Sequence, residues 1–127
     1  MKYFFRKLNF WLVSIIIFAS CTNDISNDSY TIKYYDMQFD KDKGVMYVEL
    51  ELINKTGAIY PPRFWDSELE TIPGHQIFRP IDVIHSLILE DENTGEIKDI
   101  YRLKFKTISF EFNLSIPKFP VMHVNLN

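Results

Sequence analysis

The sequence predicts an all-β domain, an antiparallel β-sandwich of immunoglobulin-like architecture, on three observations. Apolar and polar residues alternate with period two along much of the chain, the pattern of strands with one buried face. Clusters of Asp, Asn, Gly and Pro separate these runs at short intervals and supply the turns. No segment offers ten residues of amphipathic helix. A small β-barrel is the alternative closure of the same strands. The Cys pair and intervening Trp of antibody-type domains are absent, so the expectation concerns architecture alone.

A first strand is expected over 30–39 and a second over 45–54, with Asp40-Lys41-Asp42-Lys43-Gly44 closing the hairpin between them. Met46, Val48, Leu50 and Leu52 fall on one face of the second strand, and Tyr47, Glu49 and Glu51 on the other. A short strand over 57–60 follows. Residues 65–70 have the composition of one helical turn after Pro61-Pro62, ended by Pro73 and Gly74. Residues 76–89 are expected as a strand in one or two pieces, in which 81–89 is apolar on both faces, the buried type. Asp91 to Gly95 turns the chain into an antiparallel partner over 96–106. In 109–116, Phe110, Phe112, Leu114 and Ile116 point one way while Ser109, Glu111, Asn113 and Ser115 point the other. A last strand spans 121–126. No repeat and no second domain boundary are visible in the 127 residues.

The N-terminus has its own chemistry. Met1 to Lys7 is basic, and Leu8 to Ala19 is an apolar run broken by Asn9 and Ser14. Twelve helical residues reach about 18 Å, short of a hydrocarbon core of roughly 30 Å, which identifies a secretory signal rather than a membrane span. Its end, Ile17-Phe18-Ala19-Ser20-Cys21, resembles the lipobox of bacterial prolipoproteins, with Phe18 standing where that family usually has Leu. The resemblance covers about the first 21 residues and implies cleavage before Cys21 and acylation of its sulfur, usually followed by acylation of its amine. Several acyl chains on one residue make a stable anchor where one chain holds only marginally. Residues 21–30 are then expected as the lipidated Cys and a flexible polar tether, and 31–127 as the single domain. Thr22 stands where enterobacterial lipoproteins retained in the inner membrane carry Asp, so the resemblance implies an exported protein anchored in the outer membrane.

Composition narrows the partners. Removing Lys2, Arg6 and Lys7 from 14 basic residues leaves 11 against 17 acidic ones, so residues 21–127 carry a net charge of −6 before His is counted. Such a surface repels a phosphate backbone, so nucleic acid is not an expected partner. Cys21 is the lone cysteine, so no disulfide within the domain is expected.

Catalytic and metal chemistry is thin. His75, His85 and His123 fall in no metal-ligand spacing; His85 is expected as a hydrogen-bonded packing residue and His123 as solvent-facing. The Asp40 and Asp91 loops lack the fifth and sixth residues of a calcium loop and are expected as hairpin turns. Glu49 and Glu51 share one strand face and are expected to be solvated. No nucleophile motif occurs. Neither an enzyme nor a cofactor is expected.

The segment 59–80 is unusual in concentrating Tyr60, Phe64, Trp65 and Phe78 with Arg63, Arg79 and four prolines. These residue types are enriched at recognition hot spots, and a long loop must also pack its aromatics somewhere. Tyr60, Arg63, Phe64, Trp65, Phe78 and Arg79 are therefore the candidate contacts for a partner or ligand. Three functions fit: an anchored, non-catalytic interaction or accessory module with an envelope protein partner; an inhibitor or immunity-type lipoprotein whose acidic surface meets a basic toxin or hydrolase; and a small-molecule or glycan binder, which needs a pocket lined by Trp65.

Overall fold

The computed structural model describes residues 21–127; the expected signal peptide, residues 1–20, lies outside the described residues. Ten strands follow in chain order: β1 (Cys21–Thr22), β2 (Ile25–Ser26), β3 (Tyr30–Asp40), β4 (Val45–Asn54), β5 (Glu68–Thr71), β6 (Ile77–Phe78), β7 (Asp82–Asp91), β8 (Glu96–Phe105), β9 (Glu111–Ser115) and β10 (Met122–Asn125). They form two antiparallel five-stranded sheets, β1-β10-β9-β5-β6 and β2-β3-β4-β8-β7. The ladders end at open edges, so the described residues form a β-sandwich and not a barrel.

The period-two faces form the core. Met46, Val48, Leu50 and Leu52 of β4 and Tyr101, Leu103 and Phe105 of β8 meet Leu69, Phe112, Leu114, Met122 and Val124 of the facing sheet. Glycine is required at Gly44, where the β3–β4 hairpin turns with φ 66°, a conformation that costs other residues strain.

Several elements differ from expectation. Residues 21–30 are no free tether: Cys21 pairs with Asn125, Ile25 pairs with Ile32, and the Ile25 side chain is 2% exposed in the core. The segment therefore stitches both sheets together at one edge. Residues 57–60 are irregular and bent instead of a strand. The helical turn expected at 65–70 is a three-residue 3-10 turn at Phe64–Asp66, after which the chain extends into β5. Phe110 ends the face it was expected to share, half-exposed beside Phe39 with ring centroids 5.0 Å apart. The buried-type strand is the largest correction: β7 is an edge strand, with Leu87 67% exposed. Apolar residues on both faces suit a central strand equally well, and only the pairing partners decide between the two.

Candidate functional site

The strand directions define two ends of the sandwich. Cys21, Asn125 and Glu111 lie at one end, as the pairings Cys21 with Asn125 and Asn125 with Glu111 require, and the β3–β4 hairpin joins them there through Phe39 on Phe110 and Met46 on Ser109. The chain then climbs along β10, Asn23 bonding the Val121 carbonyl at 3.2 Å, to the other end, where Asn27 Nδ2 donates to the Lys118 carbonyl at 3.3 Å. At this far end the β2–β3 turn, residues 58–63 and the β9–β10 turn enclose a groove of about 390 Å³. Tyr30, Tyr60, Pro61, Pro62, Lys118 and Phe119 are among the residues of its wall.

Local hydrogen bonding shapes that wall. The Asn54 carboxamide oxygen accepts from the N–H groups of Thr56, Gly57 and Ala58 at 3.2, 2.9 and 3.1 Å, while its Nδ2 donates to the Ala58 carbonyl at 3.0 Å. The Tyr30 hydroxyl donates to the Tyr60 carbonyl at 2.6 Å. Opposite, Asn27 Oδ1 accepts from the N–H of Ser29 and of Tyr30, each at 2.9 Å. The result is a backbone held on both sides, with Ile59 86% and Tyr60 82% exposed at its rim.

The six candidate contact residues separate into three groups. Tyr60 and Arg63 line the groove, Arg63 ion-paired with Asp66. Phe64 is 2% exposed and packs on Tyr101, and Phe78 packs against the core from β6, so these two serve folding. Trp65 is 56% exposed but does not line the groove, and Arg79 bridges to Glu68 at 3.2 Å. Sequence reading missed Tyr30, Lys118 and Phe119, which join the groove from distant parts of the chain. Their only signal was the pair of turns that carries them.

The titratable clusters lie elsewhere. On the outer face of the β3-β4-β8 sheet, Glu51 pairs with Lys98 at 3.5 Å and Glu49 with Arg102 at 3.6 Å, while the Arg102 guanidinium covers the Tyr47 ring at 4.1 Å. These carboxylates are ion-paired and largely covered, not freely solvated as expected. Desolvation, with repulsion from Asp36, raises the Glu49 pKa, and Arg102 offsets this only in part. Tyr35 is pushed up to about 12 by desolvation and by its hydrogen bond to Glu90. His85 is hydrogen-bonded to Asp99 and stacked on Tyr101 with centroids 4.4 Å apart, as a hydrogen-bonded packing residue should be, but it is half-exposed instead of buried. His123 lies at the partly exposed surface between Asn113 and Glu111. Among the described residues no three His, Cys, Asp or Glu converge as a metal site, and no helix is long and apolar enough to cross a membrane.

What the geometry defines is a β-sandwich with an apolar, hydrogen-bonded groove at the end away from Cys21. No family model, curated protein or solved structure matches the chain.

Proposed function

We propose that the protein is an exported lipoprotein of the bacterial envelope, anchored through Cys21, that works as a non-catalytic interaction module and binds its partner with the end of the sandwich away from the anchor. The observation that carries this reading is the exposure of Ile59 and Tyr60, 86% and 82%, on a braced groove at the end opposite Cys21. An anchored module must present its contacts beyond the bilayer surface, and an aromatic beside prolines and Arg63 has the composition of a hot spot. The pairing of Cys21 and Thr22 with β10 and of Ile25 and Ser26 with β3 supports this reading, since acyl chains on Cys21 would then enter the bilayer at the end of the sandwich away from the groove. The outer membrane is the proposed location, following Thr22.

Two measurements test it. Cys21→Ser should move the protein from the membrane to the soluble fraction and remove acyl mass from the N-terminal peptide; a variant that stays in the membrane overturns the anchor. A photo-cross-linking residue at position 60 should capture one envelope protein in stoichiometric yield, with position 33 on β3 as the exposed control. Equal capture at both positions overturns the groove as the contact.

A small ligand is the second reading, favoured by the groove volume of about 390 Å³, within the range of ligand sites. Glycans that shift the amide resonances of 58–63 without any protein partner would establish it.

A further inference from the structure

We infer that β7 is a second docking site, independent of the groove, which takes an extended segment of another protein as an added strand. Its backbone lies at the end of the β2-β3-β4-β8-β7 ladder and runs for 10 residues; among the described residues the strands at the other sheet ends, β1, β2 and β6, have 2 each, and the stretch of β3 that β2 leaves open, 33–40, is interrupted by a bulge between Tyr34 and Asp36. A long open edge is a template for strand addition, and folded proteins usually shorten or blunt theirs. Here it is apolar: on the face it shares with the core, Leu87 and Leu89 are 67% and 51% exposed and Ile97, paired with Leu89, is 61% exposed, while on the outer face Ile84 is 42% exposed. Leu87, Leu89 and Ile97 stand on the same face as the core residues Tyr101 and Leu103 but remain exposed, at the end of the β7–β8 pair where the core stops.

Charge selects the occupant. β7 carries Asp82 at one end and Glu90 and Asp91 at the other, with no Lys or Arg, and Glu92 and Glu96 extend the acidic end. The cations of neighbouring β8 are engaged on the outer face, Lys98 with Glu51, Arg102 with Glu49, and Lys104 over the Tyr47 ring. A second copy laid antiparallel along the whole strand would bring Asp82 against the acidic end of its mate, so like charges oppose self-pairing. The strand that fits is apolar at alternate residues, to lie against Leu87 and Leu89, and flanked by Lys or Arg, to meet the acidic ends.

The probe is a labelled synthetic peptide, acetyl-KKVTVTVTVKK-amide, titrated by fluorescence anisotropy against the full chain in detergent, with hydrogen exchange to map contacts. Binding should protect the amides of 82–91, weaken at least tenfold in Leu87→Ser/Leu89→Ser, and vanish when two adjacent central residues of the peptide are N-methylated, which removes an N–H from each of its edges. Tyr60→Ala, in the groove, should leave it unchanged. The N-methylated peptide tests the ladder without altering the protein, so a poorly folded variant cannot hide the answer. Equal binding by the N-methylated peptide, or by the analogue with Glu in place of Lys, overturns the proposal. So does a dimer of the chain alone that Leu87→Ser/Leu89→Ser dissolves, since the second copy would then be the occupant.

Discussion

Phe64 lies against Tyr101 with ring centroids 4.5 Å apart and planes inclined by 33°, so the 3-10 turn that presents Trp65 to solvent is pinned to the core by the residue before it. This contact divides the 59–80 segment into packing and presenting residues. Phe64→Ala should cost about 3–5 kcal/mol, the range for truncating a buried Phe. Trp65→Ala, at a side chain 56% exposed, should change stability by about 0.5 kcal/mol or less. Urea unfolding of both variants checks the division.

Ile25 reports on the start of the chain. A free tether would tolerate any residue there, whereas a core side chain does not. Ile25→Ala should lower stability by about 2–4 kcal/mol, and Asp24→Ala, at an exposed neighbour, by little. Equal, negligible effects would restore the tether.

Glu49 gives a pH dependence. Its pKa is raised above the ordinary 4.5, so the folded state keeps the proton at pH values where the unfolded chain has lost it. The folded state binds more protons in that window, and the Glu49 contribution to stability falls as pH rises through it. Glu49→Gln should therefore gain stability relative to the parent as pH climbs from 4.5, read as a growing difference in urea midpoints. A shift in the opposite sense would mean that the Arg102 pair dominates.

Asn54 organises the groove rim. Asn54→Ala removes its four hydrogen bonds to residues 56–58, and at this exposed site should cost about 1 kcal/mol. Hydrogen exchange at 55–60 should quicken, and cross-linking from position 60 should fall with it.

The long alternating segments were legible: β3, β4, β8, β9 and β10 lie within two residues of the strands expected at 30–39, 45–54, 96–106, 109–116 and 121–126. Alternation is a local property, imposed on each strand by the solvent on one side and the core on the other. β1 and β2 were not legible, because a two-residue strand shows no period and Ile25 is the lone apolar residue between Thr22 and Ser29. β5 was hidden for a related reason: Trp65 and Leu69 stand four apart, as on a helix, while the chain between them bends at Ser67 into an extended strand. Of the candidate contacts, Tyr60 and Arg63 line the groove while Phe64 and Phe78 pack at the core, a division that composition could not make.

By itself the sequence determined the all-β class, the two faces of β4 and β9 and the turns between the long strands, since each follows from residues within about ten of one another. The tertiary structure alone decided that β7 closes a sheet instead of crossing its middle, and that Tyr30, Tyr60 and Phe119 share one groove. Both depend on which distant segments pair, and pairing is settled by the sum of many weak contacts across the core, not by any one segment's pattern.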